Sequence, residues 1–479
     1  MNDGEIRSHA PLLDAYLTYL ETPHHPFTIP GHKQRATALN ADLGKVVDSD
    51  VPLFGGLDEI KLTNGVLQKA EALAAQCWSG DWARFSTGGS THANQAVAFA
   101  LGKPGDKVAI SRTAHRSILT ALVLAGLEPL WMRPTIDATT GVPVGIPESE
   151  LHRVLPANPI ALLLTEPGYL GTISEMAPLI SLAHSQNIPI IVDAAWGAHF
   201  GFHPAYPRHP LQIGADAFVT SIHKALPGYT ASAIAVAKLD RLNRARLEQG
   251  FESTHTTSPA GAPLASIDGV RALLEIRGEQ LLDQLLNNIQ KFRRQMTSEF
   301  GEQVLLSLHD FAANQFDPTK LVLRTNIFGG DGIRIEGELI EKGFRVEMAD
   351  RDTVVFLATI ADDQIALDAL FNTLSPIIRA NIGRPRESGT ALSWSVVPQI
   401  GISLRDAYFA ESEMVTAKEA VGRISADLVA PYPPGVAVLA PGEIISAEIV
   451  TGLQKAKAEG VRIAYATDSS LATYRVCKI

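Results

Sequence analysis

The 479-residue sequence has little cysteine, no excess of positive charge and no long apolar run. Cys77 and Cys477 are too few and too far apart for a disulfide framework or a zinc site, which predicts a reducing compartment and no metal. Acidic residues outnumber basic ones by 51 to 41, which argues against a nucleic-acid partner. No run reaches the roughly eighteen apolar residues of a membrane span, and early acidic residues argue against a secretory leader. We therefore expect a cytoplasmic protein that does not bind membranes.

The composition is that of a folded protein with a large core. Hydrophobic residues make up 46% of the chain and charged residues 19%, which excludes a disordered or fibrous protein. The chain is longer than one compact core usually holds, so we expect at least two lobes.

Short apolar runs alternate with longer helical segments between about residues 80 and 240. The runs predicted as buried strands are residues 107–111, 161–166, 188–194 and 217–222. Their continuous apolar character is typical of a parallel sheet covered on both faces, so an α/β core is expected. Ligands of such sheets bind at the carboxyl ends of the strands. That edge is where we look for chemistry.

Lys224 comes after one of these apolar runs, and Asp193 lies at the end of another. A partly desolvated lysine at a strand end would have its neutral amine favoured and could form a Schiff base, although a lone lysine there is more often a surface residue. A carboxylate after five apolar residues needs a cation or a donor, such as the protonated ring nitrogen of pyridoxal phosphate. The alternatives for Asp193 are a helix N-cap and a metal ligand.

Two further elements fit the same edge of the sheet. Gly89, Ser90 and Thr91 open a helix, where free N–H groups and hydroxyls can bind a phosphate, although a Ser/Thr-capped turn is equally simple. His115 follows the next strand and is expected to open the next helix, from where it could stack on a flat cofactor. His223 is expected on the side of the chain opposite to Lys224 if the strand continues that far. It could then contact phosphate or deliver a proton.

The chain resembles the fold-type I pyridoxal phosphate enzymes of the bacterial ornithine/lysine/arginine decarboxylase family. The motifs that carry this resemblance are PFTIPGHK, FGGLDEI, STGGSTHAN, AHRSI, EPGYLGTISE, VDAAWGAH, SIHKALPG, THTTSPAGAPLASID and PYPPGVAVLAPGE. They cover nearly the whole chain. The PGHK motif lies so early that the chain resembles the short branch, which lacks an N-terminal wing domain.

The resemblance implies roles for individual residues. Lys224 would carry the cofactor, Asp193 would bind its pyridine nitrogen, Ala195 would pack on one face of its ring and His115 would stack on the other. The phosphate would be held by Gly89, Ser90, Thr91, Ser221 and His223, and His223 is also a candidate proton donor. The segment 254–259 would help to build a site shared between subunits, which implies a homodimer or a dimer of dimers.

The sequence departs from the family pattern at several positions. The family more often has Asn-Gly at Gly88-Gly89, Lys at Arg116 and Pro-Thr-Tyr at residues 167–169. A frequent Gln is replaced within residues 230–232, and an expected Glu is Asp427. These departures put the substrate in doubt more than the cofactor.

The expected reaction is α-decarboxylation of a basic amino acid, in polyamine biosynthesis. The substrate stays open among arginine, ornithine, lysine and a modified relative. Glu443 and Glu166 are candidate partners for its distal cation. An aminotransferase or a lyase of the same fold is the alternative, with Arg405 as a candidate for gripping a substrate carboxylate. A catalytically silent relative that binds an amino acid or a protein is the third possibility.

The expected architecture is a large α/β domain with a smaller α+β C-terminal domain. The predicted divisions are an N-terminal arm over 1–35, a cofactor-binding domain over 36–265, a bridging helix with part of the small domain over 266–380, and a C-terminal domain over 381–479. The long helix itself is predicted over 266–296, and residues 380–395 are predicted to form a linker.

Overall fold

The computed structural model describes residues 4–51, 53, 57, 65–307, 310–311, 315–387, 396, 398–432, 436–458 and 460–478. It divides into two compact units that each draw on separate stretches of chain. The first comprises Met1–Ala100, Val192–Pro204 and Arg208–Leu281; the second comprises Leu101–Ile191, Ala205–Pro207 and Leu282–Ile479. Nearly all of the FGGLDEI motif, all of the SGTALSWS part of the predicted linker and residues 433–435 of the proline-rich motif lie outside the described residues.

Seven strands form one sheet in the order β1-β7-β6-β5-β4-β2-β3. They are β1 (Trp82–Ser86), β2 (Lys107–Ser111), β3 (Glu128–Met132), β4 (Leu162–Thr165), β5 (Ile190–Asp193), β6 (Ala217–Ser221) and β7 (Ala233–Ala237). β2 is parallel to β3 and β4, whereas β7 is antiparallel to β1 and β6. The predicted α/β class is confirmed, and the four predicted strands are β2, β4, β5 and β6.

The described residues also form sixteen α-helices. In chain order α1–α8 are Gly4–His9, Pro11–Glu21, Ala41–Val47, Val66–Cys77, Gly89–Leu101, Arg116–Ala125, Glu148–Val154 and Met176–Ser185. The others, α9–α16, are Ile222–Ala225, Arg244–Thr254, Gly261–Phe300, Gly332–Glu341, Gln364–Ala380, Leu404–Phe409, Ala417–Ala420 and Ala447–Ala458. The predicted long helix is α11, which begins five residues earlier and ends four residues later than expected.

In the first unit, the strands nearest the candidate lysine are buried along their whole length. Every residue of β6 and of β7 is buried, as continuous runs of β-branched and small apolar residues favour. Their antiparallel register pairs Ser221 with Ala233 and Ala217 with Ala237. This pairing fixes the end of β6, and therefore the point at which α9 begins.

The second unit contains a small sheet in the order β8-β10-β9, formed by Lys320–Arg324, Thr353–Leu357 and Met348–Ala349. Its core joins these strands to α12, α13 and the last part of α11 through residues such as Phe292, Leu339 and Leu374. Two antiparallel pairs follow, β11 (Ser412–Thr416) with β14 (Thr473–Cys477), and β12 (Ala430–Tyr432) with β13 (Arg462–Ala464). The expected small C-terminal α+β domain is confirmed, while its exact boundaries stay predictions.

Across the described ranges, every helix is too short or too polar to cross a lipid bilayer.

Candidate active site

The glycine-containing turn after β1 leads directly into α5. Gly89 has φ +69°, a left-handed conformation that costs a residue with a side chain more than it costs glycine. Its N–H donates to the carbonyl of Ala231 at 2.7 Å, which anchors the turn to the segment before β7. The N–H groups in the first turn of a helix have no acceptor within the helix. The turn therefore has the donors and the dipole orientation that suit a phosphate.

Two buried serine hydroxyls meet beside this turn. Ser90 Oγ lies 2.7 Å from Ser221 Oγ, although the two residues are 131 positions apart in the chain. Ser90 opens α5 and Ser221 ends β6. Thr91, the third predicted phosphate ligand, is exposed. The structure thus brings together the hydroxyls of Ser90 and Ser221, which the sequence placed in separate motifs.

Asp193 ends β5 with its side chain buried. The carboxylate accepts the N–H of Ala195 at 3.2 Å and a hydrogen bond from the Asn94 side chain. Burial raises the pKa of Asp193, while the positive charge of Lys224 and these hydrogen bonds oppose the rise. A buried carboxylate in this setting suits a protonated ring nitrogen, because the cation would add the charge-assisted bond that the site favours.

Lys224 lies in the short helix α9, directly after β6. Its Nζ lies 4.1 Å from the centroid of the Trp196 ring, within the range of a cation–π interaction. Trp196 follows Asp193 by three positions and is buried. The ammonium group and the carboxylate therefore belong to one compact unit.

His223 differs from the sequence expectation. The strand does not continue to Lys224; the chain turns into α9 after Ser221, so alternation along a strand does not decide where His223 points. Its Nδ1–H donates to the buried Ser232 carbonyl at 2.9 Å. This bond fixes the tautomer and leaves Nε2 as the nitrogen that can exchange a proton.

His115 belongs to the second unit and caps α6, as predicted. Its Nδ1 accepts the backbone N–H of Ser117 at 3.2 Å and lies 2.9 Å from the Ser117 hydroxyl. An Nδ1 that accepts hydrogen bonds places the proton of a neutral imidazole on Nε2. Stacking of this ring on a cofactor stays a prediction.

The two candidate partners for a distal substrate cation are both occupied in the second unit. Glu443 forms an ion pair with Arg112 at 2.6 Å and accepts the N–H of Ala440 at 2.7 Å. Glu166 accepts the backbone N–H of Ser174 at 3.0 Å and also its hydroxyl. These internal contacts disfavour both hypotheses, which stay predictions.

Arg405, the candidate for an aminotransferase, also has an internal role. Its Nη1 donates to the carbonyls of Val123 and Leu124 at 2.7 and 2.9 Å. These carbonyls belong to the last turn of α6, where a cation is favourable. The guanidinium thus caps a helix, which disfavours Arg405 as the residue that grips a substrate carboxylate.

Within the first unit, the donor set fits pyridoxal phosphate. The turn and the two serine hydroxyls suit a dianionic phosphate, the buried Asp193 suits a pyridinium nitrogen, and Lys224 supplies a primary amine. Sequence reasoning missed Asn94 and Trp196 as members of this site. Asn94 lies in the STGGSTHAN motif and Trp196 in the VDAAWGAH motif. The signal for Asn94 was a polar residue at a buried position of α5.

Comparison with known proteins agrees with these features. Residues 10–310 match Orn/Lys/Arg decarboxylase, major domain, and residues 397–460 match Orn/Lys/Arg decarboxylase, C-terminal domain. An arginine decarboxylase of Bacillus subtilis is 32% identical over 463 residues, covering 94% of each chain. An inducible lysine decarboxylase of Escherichia coli is 22% identical and covers 91% of this chain and 75% of that one. The solved structure of lysine decarboxylase A from Pseudomonas aeruginosa matches with a TM-score of 0.82 at 18% identity, over 98% of this chain and 80% of that chain.

Proposed function

The chain belongs to the Orn/Lys/Arg decarboxylase family, whose cofactor is pyridoxal phosphate, and from that premise we propose that it decarboxylates arginine at the α-carbon. The arrangement that supports the proposal is Asp193, Lys224 and the Ser90–Ser221 pair within one unit. The reaction would release carbon dioxide and the amine agmatine.

Arginine is preferred over lysine and ornithine because of the pattern of relatives. The arginine decarboxylase of Bacillus subtilis aligns with 94% of both chains at 32% identity. The lysine decarboxylase of Escherichia coli has 22% identity and additional length beyond the match. If the substrate follows the relative that aligns over nearly the full length of both chains, the substrate is arginine.

Several residues would each bind a different part of the cofactor. Ser90, Ser221 and the turn at Gly89 would bind its phosphate, with Thr91 and His223 as further predicted contacts. Asp193 would keep a proton on the ring nitrogen, and Lys224 would bind covalently through Nζ. Ala195 and His115 would enclose the ring. When bound, pyridoxal phosphate supplies an electron sink for the electrons left behind as carbon dioxide departs.

Proton return to the α-carbon needs a side chain that can deliver a proton to it. His223 is the proposed donor, because the Ser232 carbonyl holds its Nδ1–H and leaves Nε2 as the nitrogen that would face the substrate. Lys224 would no longer be bonded to the cofactor at this step, and the Trp196 ring offers its ammonium group a cation–π contact.

The wider setting is also part of the proposal. We place the enzyme in the cytoplasm, with which its two free cysteines are compatible, and assign its product to polyamine synthesis. A homodimer, with residues 254–259 beside a shared site, is the proposed functional unit.

Product analysis by mass spectrometry tests the proposed function. The protein with pyridoxal phosphate is incubated separately with arginine, ornithine and lysine, and agmatine, putrescine and cadaverine are measured. Agmatine as the dominant product is expected. Putrescine or cadaverine as the dominant product would replace arginine as the substrate. No amine from any of the three would reject all three substrates and turn the search to modified basic amino acids.

A further inference from the structure

A buried histidine on α5 is linked to the predicted phosphate turn through the hydroxyl of Ser86. His92 lies three residues after Gly89, and its imidazole is buried. Its Nδ1 lies 2.7 Å from the hydroxyl of Ser86, the last residue of β1. Its Nε2 lies 3.0 Å from Oγ1 of Thr254, the last residue of α10. One ring therefore joins the strand before the turn to a helix more than 150 residues later in the chain.

The protons in this chain of contacts can be assigned by counting donors. Thr254 donates its only hydroxyl proton to the Gly250 carbonyl at 2.8 Å, so its oxygen must accept from Nε2–H of His92. A neutral imidazole then has an acceptor at Nδ1, and the Ser86 hydroxyl donates to it at 2.7 Å. Ser86 Oγ in turn accepts the Gly88 N–H at 3.2 Å. The other acceptor near the Ser86 hydroxyl, the Gly89 carbonyl, is farther away at 3.2 Å.

The surroundings of His92 favour the neutral ring that this count requires. Burial lowers the pKa of His92 to about 4, and the nearby His255 adds to the effect. The ring of His255 lies 4.9 Å away and that of Phe251 5.2 Å away, both edge-on. A ring that stays neutral keeps one donor and one acceptor at fixed positions across the physiological pH range.

Gly88 of the turn also lies close to His92. A Cβ placed on Gly88 would lie 2.8 Å from the Cβ of His92, closer than real contacts allow. Gly88 is one of the positions at which this chain departs from the family pattern. A side chain at position 88 would therefore displace the histidine, so the close approach of the turn to α5 requires glycine there.

We propose that His92 is a positioning residue that sets the phosphate turn and links its geometry to the end of α10 and to the segment 254–259 that follows. The inference rests on the proposed function, because it needs the cofactor phosphate at Gly89–Thr91. His92 does not touch the phosphate in this proposal. It acts through Ser86 and the N–H of Gly88 on one side and through Thr254 on the other.

Four variants separate the two hydrogen bonds. Asparagine places an acceptor near the position of Nδ1, so His92→Asn keeps the Ser86 bond and loses the Thr254 bond. Glutamine places a donor near the position of Nε2, so His92→Gln does the reverse. Thr254→Val removes the hydroxyl with little change of shape, and Thr254→Ser retains it as the matched control. Thr254 is partly exposed, so its two variants carry the test if the His92 variants fail to fold.

The measurement is the dissociation constant for pyridoxal phosphate and for pyridoxal, which lacks the phosphate. Binding is followed through the absorbance of the lysine-bound cofactor, with urea midpoints of the apoproteins as the check on folding. We expect His92→Asn, His92→Gln and Thr254→Val to weaken pyridoxal phosphate binding by about 5- to 10-fold, as loss of one buried hydrogen bond predicts. Pyridoxal binding should be unchanged, and Thr254→Ser should stay within about 2-fold of the wild type.

The outcomes distinguish this inference from the proposed function. Wild-type protein that binds no pyridoxal phosphate would refute the cofactor site itself. Normal wild-type binding, with equal losses for pyridoxal phosphate and pyridoxal in the variants, would reduce His92 to a stability role and overturn the inference. The same conclusion follows if Thr254→Val binds pyridoxal phosphate as tightly as Thr254→Ser does.

Discussion

Arg112 and Glu443 form an ion pair from which solvent is excluded on both sides, although 331 residues separate them in the chain. The guanidinium also donates to the Val438 carbonyl at 2.8 Å and lies over the Trp131 ring, 4.5 Å from its centroid. Every oxygen of the carboxylate has a donor, because Arg112 contacts both and Ala440 N–H contacts one. Each charge of this buried pair has its counter-charge inside the second unit, which disfavours a role for Glu443 in binding a substrate cation.

Replacement of Glu443 by Gln should therefore destabilise the fold. Loss of one partner leaves the buried guanidinium without its counter-charge, which costs about 3–5 kcal/mol. The free energy of unfolding from urea titration measures this. Glu413→Gln is the matched control, since its pair with Arg423 is partly exposed and worth less than about 1 kcal/mol. A variant of wild-type stability with a raised KM for the substrate would return Glu443 to substrate binding.

Replacement of Lys224 by Ala should abolish turnover, because no other primary amine is expected to bind the cofactor covalently. The absorbance of the lysine-bound cofactor should disappear with it. Lys69→Ala removes an exposed lysine of the same unit and should leave both properties at wild-type values. Normal turnover of Lys224→Ala would refute its assigned role.

Replacement of Ser90 or of Ser221 by Ala should weaken pyridoxal phosphate binding by about 10- to 100-fold, as expected for a hydrogen bond to a charged group. The two losses should not add, because the hydroxyls contact each other at 2.7 Å and act as one unit. Titration of the apoproteins with the cofactor measures the effect. Ser253→Ala, at an exposed position of α10, is the control. Unchanged affinity in both single variants would place the phosphate elsewhere.

Glu166 should make the stability of the protein depend on pH. Burial raises the pKa of Glu166 to about 7, against the lowering effect of the Ser174 hydrogen bonds. A glutamate in the unfolded chain titrates near about 4.3. Between these values the folded protein holds a proton that the unfolded chain has lost, so stability falls as pH rises from about 4.3 to 7.

Glu166→Gln removes this proton linkage. Between pH 5 and pH 8 the free energy of unfolding of the wild type should fall by about 2–3 kcal/mol more than that of the variant. Urea titrations at both values measure the difference. Glu71→Gln is a comparison, because burial also raises the pKa of Glu71 to about 7. A difference between Glu166→Gln and wild type that is constant with pH would show that Glu166 is ionised in the folded state throughout.

The sequence was most informative where continuous apolar runs precede a polar residue. Asp193 and Lys224 were found this way, since a buried parallel strand needs no long-range knowledge to be recognised. Strand β1 was missed because Arg84 interrupts it. The charge of Arg84 is compensated by Glu71 and Glu248, and the latter lies 164 positions away. Strand β3 was missed because of Pro129, which is tolerated there because β3 is at the edge of the sheet.

The partners of charged side chains could not be predicted. Glu443 looked available for a substrate cation, because nothing near it in the sequence indicates Arg112. Arg405 looked available for a carboxylate, because the end of α6 lies about 280 residues earlier. His92 lies in the motif from which only the glycine and the hydroxyl residues were assigned to phosphate binding. Its hydrogen bond to Thr254 depends on where α10 ends. Each error concerns a contact between distant residues, which local pattern does not encode.

The antiparallel pairing of β1 with β7 has a consequence for synthesis on the ribosome. Trp82 pairs with Ala237, so the ribosome must add roughly 150 further residues after β1 before the partner strand β7 has been synthesised. At about 5–20 residues per second, this delay is on the order of ten seconds. During that time both edges of an aromatic-containing strand are available to other nascent chains. Nascent chains arrested before residue 237 should therefore need a chaperone more than those arrested after residue 281, where the first unit is complete.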